Sequence, residues 1–326
     1  MVRHLGTWRN RVRAVVKESG ARACASGRSA GRTIGRVQLV IYAAVVSAMG
    51  ILPANASTYA PVQKVCPVGG EKFQFMELAS ISQWGGMPDG MPLGSGYFPI
   101  QSPKCPGNEL VMYRDFMPTE VKVLTAFVGS PEYLALRTAH ETPYYLAYRT
   151  AKALGDKTAP GLLLQSTWEA KNADPASERA RRYDEEFVSL VRTLPVDGAS
   201  FESIALRARA ANALRELGHF EEAEAMRAAI TIAPAAGEPE ANASQNREGW
   251  ASYLKSLAAP IERKDQRRDP IDMIGNREAV FRCLSQAVAA KYKRPAPAPL
   301  SAFETGYCAR PELSTEIAEE KIRLAN

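Results

Sequence analysis

Histidine is almost missing from this chain of 326 residues, which has three: His4, His140 and His219. Cysteine is also scarce, at five residues, and aromatic residues make up 8% of the sequence. So thin a supply of imidazole and thiol leaves little for metal chemistry or for activating a nucleophile. His140-Glu141 lacks the second histidine that a helical zinc motif places on the same face, and no two cysteines have Cys-x2-Cys spacing. No Gly-x-Ser-x-Gly elbow, phosphate-binding loop or dinucleotide fingerprint occurs, and Gly94-Ser95-Gly96 is too short to stand for one. Long apolar runs are equally few. Only the stretch from Val37 to Ala56 approaches membrane length, which excludes a polytopic membrane protein. The 46% of apolar residues nevertheless excludes wholesale disorder or a collagen-like chain and is enough for a substantial core.

The net charge of +6 is unevenly placed. Residues 1–56 carry nine Lys/Arg and one acid, Glu18, a charge of +8, against 32 basic and 34 acidic side chains in the remainder, a charge of −2. The basic stretch runs into the uncharged segment Leu39–Leu52, then Pro53, then Ala54-Asn55-Ala56 and Ser57. A basic flank, an apolar core and small residues at alternate positions describe a secretory signal peptide, with cleavage expected after Ala56. No Arg-Arg pair precedes the core, so the twin-arginine route is not indicated. The alternative is an uncleaved anchor formed by residues 37–53, its basic end in the cytoplasm. The basic segment has Trp8 as its one aromatic before the apolar core, so its charge reads as an export feature and not as a nucleic-acid surface. A periplasmic or secreted protein is expected, without a stable membrane span once cleaved.

Cleavage removes Cys24 and leaves Cys66, Cys105, Cys283 and Cys308. An even number of cysteines in an exported chain reads as disulfides. Of the three possible pairings, the spacing favours Cys66–Cys105 and Cys283–Cys308. Residues 57–118 are rich in Gly and Pro and read as a small irregular β module. Its strand candidates are Phe73–Leu78, Tyr97–Ile100 and Leu110–Tyr113, with Trp84–Gly96 as a loop. A core so small needs a staple. Residues 119–326 read as helical. Helix starts are marked at Ser130-Pro131 and Thr142-Pro143, and further helices are expected over 160–171, 175–194, 200–217, 219–232, 244–258, 272–292 and 312–325. Ala233–Asn242 reads as a linker and Pro295–Pro299 as an extended, polyproline-like stretch. The expected class is mainly α, a ribbon-like β module followed by a helical hairpin domain with a C-terminal extension.

Two local patterns carry a resemblance. Cys66-Pro67-Val68-Gly69 with Phe73, and Cys105-Pro106-Gly107-Asn108, resemble a degenerate form of a bacterial family of unknown function. That family has paired Cys-Pro-x-Cys knuckles arranged as a zinc ribbon, followed by tetratricopeptide-like helices. Here Gly69 and Asn108 stand in the places of the second cysteines, so the likeness implies the fold and argues against the metal. It also implies that Cys66 and Cys105 are neighbours. The second pattern, Ala211-Asn-Ala-Leu214-Arg-Glu-Leu-Gly218-His-Phe220-Glu-Glu-Ala223 with Pro234 beyond it, is similar to a tetratricopeptide hairpin. An ordinary helical hairpin can carry the same Leu-Gly-x-Phe turn.

Nothing in the sequence selects a catalytic group, a cofactor or a metal ligand. The run Asp184-Glu185-Glu186 follows Arg179, Arg181 and Arg182 and reads as a solvated helix face with i,i+4 pairs. A pair of carboxylates acting as in a glycosidase needs only proximity in space, which the sequence does not show. Tyr144 and Tyr148 share a helix face and read first as core packing. Trp84 and Tyr97-Phe98 flank the Gly/Pro loop, and ordered loops often carry function. The candidate binding surface therefore comprises Trp84, Tyr97, Phe98, Tyr144 and Tyr148, between that loop and the helices. The expected function is an interaction or scaffold module for an unidentified protein or peptide partner. The alternatives are an envelope-acting enzyme with unidentified carboxylates and a metal-binding ribbon with an incomplete ligand set.

Overall fold

A computed structural model describes residues 57–325. The expected leader, its expected cleavage residues Ala54 and Ala56, and the anchor alternative all lie outside the described residues.

The β module is built from two antiparallel ribbons. β1 (Thr58–Val65) pairs with β2 (Lys72–Ser80), and β2 contains the expected strand Phe73–Leu78. Sequence reading missed β1 because Pro61 interrupts it. Each strand of a two-stranded ribbon has a free edge, so a proline facing outward costs no ladder hydrogen bond. β3 (Gln83–Gly86) and β4 (Pro92–Gly94) form a short hairpin where a loop was expected. Its tip is closed by Met87 N–H to Met91 O (2.7 Å) and Gly90 N–H to Met87 O (2.8 Å). Tyr97–Ile100 is not a strand. Its carbonyls are taken by helix side chains instead, Asn172 Nδ2 donating to Phe98 O (2.6 Å) and Tyr144 Oη to Ile100 O. Of Leu110–Tyr113 only Val111 bridges, to Lys104.

The two Cys-Pro turns face one another and are joined by the Cys66–Cys105 disulfide. Each turn is closed in the same way: Cys66 N–H donates to Glu71 O (2.8 Å) and Cys105 N–H to Leu110 O (2.9 Å). Asn108, in the place of an absent cysteine, donates from Nδ2 to Val68 O (3.0 Å), and Glu71 Oε2 accepts from Gly107 N–H (2.9 Å). Polar lacing between the turns thus accompanies a single covalent link.

Twelve helices follow among the described residues. They are α1 (Pro118–Val128), α2 (Pro131–Thr138), α3 (Pro143–Ala153), α4 (Ala159–Ala173), α5 (Glu178–Thr193), α6 (Phe201–Glu216), α7 (Phe220–Ala228), α8 (Ala243–Glu262), α9 (Asn276–Cys283), α10 (Ser285–Lys291), α11 (Ala302–Cys308) and α12 (Pro311–Ala325). Their starts are chemically marked. Ser130, Thr142, Ser177 and Ser200 accept from the main-chain N–H three residues on, and Pro131 and Pro143 occupy first-turn positions. From α3 to α7 each helix packs on the next, and α8 lies against α6 and α7. Alanines at 208, 210, 211 and 213 are buried along α6, where small side chains let neighbouring helices approach. One main core runs from Cys66, Cys105, Leu110 and Val111 through the tyrosines of α3 to Leu257 and Ile261 of α8.

The C-terminal helices have a separate small core of Ile271, Ala279, Val280, Leu284 and Leu313, flanked by the disulfide Cys283–Cys308. The helix expected over 272–292 is two helices. It begins only after Gly275, and it breaks at Leu284, whose side chain turns into this core. α11 was not expected. A capping box holds it, with Ser301 Oγ accepting from Glu304 N–H and Glu304 Oε2 from Ser301 N–H.

Candidate functional site

Alternate helices α4, α6 and α8 present one shared face, and the tip of the β3–β4 hairpin lies on it. Trp168 and Asn172 come from one side of α4, Arg209 from α6, Tyr253 from α8, and Arg268 from the connection between α8 and α9. Their donors converge on the turn Pro88-Asp89-Gly90. Arg209 Nη1 (2.6 Å) and Tyr253 Oη (2.7 Å) both donate to Pro88 O. Trp168 Nε1 donates to Asp89 O (3.2 Å). The Asp89 carboxylate, 2% exposed, takes Arg268 Nε (2.9 Å) on one oxygen and Met91 N–H (2.9 Å) on the other. Gly90 has φ +91°, and a Cβ there would sit 2.6 Å from Arg209 Nε, so the turn needs glycine twice over.

The donors are themselves held in place. Arg209 lies over the rings of Tyr253 (4.4 Å) and Trp250 (5.1 Å). Arg268 Nη1 is oriented by Asn172 Oδ1 (2.9 Å). The fully buried Arg215 donates to Asp265 O and to Arg267 O (2.7 Å), fixing the connection that carries Arg268.

Near this turn lies a buried charge cluster. Lys171, one turn beyond Trp168 on α4, places Nζ 2.8 Å from Asp184 Oδ1 of α5 and 2.8 Å from Glu216 Oε2 of α6. Burial works against the Lys171 ammonium, but Asp184 and Glu216 outweigh it and hold the group protonated above its ordinary range. Glu216 is also paired with the buried Arg215, whose Nη2 lies 3.5 Å from its Oε1, so two cations and two carboxylates share the cluster. Burial pushes the Asp184 carboxyl above its ordinary range against the pull of Lys171, and the Glu216 charge adds to the rise. Elsewhere on α4, burial also pushes Glu169 up to about 7, opposed by hydrogen bonds from Tyr144 N–H and Thr142.

The structure corrects two expectations about residues. The run at 184–186 is not one solvated face. Only Glu185 makes the exposed i,i+4 pair, with Arg181, whereas Asp184 is buried at Lys171 and Glu186 accepts from Tyr145 and Tyr148. The five aromatic candidates do not form one surface. Phe98, Tyr144 and Tyr148 are buried, as core packing requires; Tyr97 is 87% exposed. Trp84, 42% exposed, lies over Arg277 and donates to Glu278 Oε1 (3.0 Å) of α9. The loop does meet the helices, but through Pro88-Asp89-Gly90 and not through its flanking aromatics. Sequence reading missed Asp89, Lys171, Arg209 and Arg268. The available signals were Pro-Asp-Gly inside the loop and Trp168, Lys171 and Asn172 at one-face spacing on α4.

Among the described residues, no group of three or more His, Cys, Asp or Glu is placed to hold a metal ion. Cys66 and Cys105 are joined to each other, so the ribbon offers no thiolate. Surface cavities of about 500 Å³ between α9 and α12 and about 300 Å³ bordered by α5, α6 and α7 lie away from the charge cluster. No helix among the described residues is long and apolar enough to cross a membrane. No protein-family model matches this chain, and neither a curated protein nor a solved structure does.

Proposed function

We propose that this chain is an exported interaction module that binds a segment of another protein along the face of α4, α6 and α8. The carrying observation is how that face holds Pro88-Asp89-Gly90. Donors from three helices and one connection converge on main-chain carbonyls and a single carboxylate, which is how a groove reads a peptide. Two disulfides between cysteines close in sequence, together with the basic and apolar leader, support an oxidising compartment such as the periplasm. The facing Cys-Pro turns and the α6–α7 hairpin with Gly218 at its turn are the features that keep the likeness to the knuckle-and-hairpin family in view.

The test is a photo-crosslinking residue at Gly249, exposed on α8 one turn before Tyr253 where an added Cβ meets nothing within 4 Å, in cells that export the protein. A discrete adduct with one partner polypeptide is expected, absent when the probe sits at exposed Val196. Absence of any adduct at Gly249 would sink the reading. So would an envelope-degrading activity in the purified protein.

A further inference from the structure

We infer that the hairpin tip Met87–Met91 is an internal stand-in for the partner, and that the partner presents an acidic turn of the Pro-Asp-Gly kind which displaces it. The inference rests on the binding role proposed for this face and adds both the ligand chemistry and a self-occupied resting state.

Charge is the first argument. Among the described residues, Arg268 has Asp89 as its carboxylate partner, and Arg209 has none, donating instead to Pro88 O. Removing the tip strips both guanidiniums of their acceptors on the hairpin. Neither can fall back on the charge cluster, because Asp184 and Glu216 are already committed to Lys171. The vacated face is therefore matched to a ligand bringing one carboxylate and free carbonyls.

Shape narrows the ligand. Pro88 is buried, Asp89 is buried, and position 90 must combine positive φ with no side chain, since a Cβ would meet the Arg209 guanidinium. A turn carrying Asp followed by Gly satisfies these demands, and a proline before the Asp fills the remaining space. An extended acidic strand does not meet them, because the donors from α4, α6 and α8 converge on neighbouring groups of one reversal of the chain.

The hairpin behind the tip is slight. β3 is exposed along its length, β4 is three residues long, and Gly85, Gly86, Gly90 and Gly94 leave few side chains to hold the hairpin. Its root is held at a different place, by Trp84 on Arg277 and Glu278. The contacts of Pro88 and Asp89 hold the tip on the face at high effective concentration, and the root, anchored separately, stays in place when a competitor takes those contacts.

The experiment uses the purified chain and a cyclised peptide covering Gln83–Gly94, with calorimetry as the readout. The wild type is expected to bind this peptide weakly. Asp89→Ala, and a variant in which Gly-Gly replaces Met87–Met91, are expected to bind it at least tenfold more tightly. Replacing Asp by Asn in the peptide, or adding Arg268→Ala to either variant, is expected to cost at least tenfold. Equal affinity for the wild type and both variants overturns self-occupancy while leaving the binding face standing. Absence of binding to the Gly-Gly variant, whose face is empty by construction, overturns the acidic-turn chemistry. Both outcomes are independent of the adduct at Gly249, which tests the binding role itself.

Discussion

Each end of the described chain carries one disulfide, yet the two regions rely on their cross-links differently. Cys66 and Cys105 are 1% and 0% exposed and sit within the main core beside Leu110 and Val111. Their turns are also laced by Asn108 and Glu71. Cys283 and Cys308 flank a core of only five buried residues. By loop-closure entropy the two links are similar, roughly 3–4 kcal/mol each for the loops they close. What differs is the packing that remains once either bond is gone. A cross-link added to a continuous core raises the stability of the whole, whereas one placed beside a small core decides whether that unit is folded at all.

The largest effect expected from a single substitution lies in the array, where packing is dense and buried charge is exposed to imbalance. Lys171→Met leaves Asp184 without its cation and Glu216 with Arg215 alone, and is expected to cost about 3–5 kcal/mol, read as a lower denaturant midpoint for the array α3–α8. If the transition of α9–α12 moves by the same amount, the array and the C-terminal unit are one cooperative body and the contrast fails.

The disulfides test the contrast directly. Cys283→Ser with Cys308→Ser is expected to release about 3–4 kcal/mol locally. Hydrogen exchange then shows α9–α12 losing protection while α3–α6 keep theirs. Cys66→Ser with Cys105→Ser is expected to lower the midpoint of the array as a whole, without a separate early phase. Equal behaviour of the two double variants would break the comparison.

Much of this was legible in the sequence because the signals are local. Ser130-Pro131, Thr142-Pro143, Ser177 and Ser200 mark helix starts through contacts made within a few residues, and the cysteine spacing favoured the pairing that the structure has. Ser301-x-x-Glu304 was an equally local signal for α11, overshadowed by the prolines at 295–299. The site was illegible for the opposite reason. A lysine on α4 is buried only because α5 and α6 bring it two carboxylates, and Asp89 is a binding group only because Arg268 and Arg209 arrive from remote parts of the chain. Hydrophobic patterning registers neither, since both are charged residues in places where charge is normally excluded.

The acidity profile should carry both signs in the array, where burial raises two carboxyls while Arg192 and Arg227 lower Glu222 and Glu224, and one sign in the C-terminal unit. In the array, burial holds Glu169 at about 7 and raises Asp184 as well, against ordinary values near 4 in the unfolded chain. The native state therefore keeps protons that the unfolded chain has already released, so stability is highest near the lower end of this window and falls as pH rises through 7. In the C-terminal unit, burial opposes ionisation of Glu304, but Arg282 and the Ser301 amide outweigh it and hold the carboxyl at about 2. That contribution is complete above roughly pH 4.5 and is lost as pH falls towards 2. Thermal midpoints of the whole protein are expected to peak near pH 5. Asp184→Asn should flatten the alkaline side alone, and Glu304→Gln the acid side alone.

The smallest effect expected is also the most local. Ser301→Ala removes one cap from α11 and should cost about 1 kcal/mol. Because Glu304 both completes that cap and pairs with Arg282 at 2.7 Å, the loss should appear in α9 and α11 together and leave α4–α6 untouched. Exchange protection measured residue by residue would show it. A response extending into α6 would mean that the small C-terminal core is coupled to the array through Arg215 and the Asp265–Arg268 connection, and the two regions would then have to be treated as one.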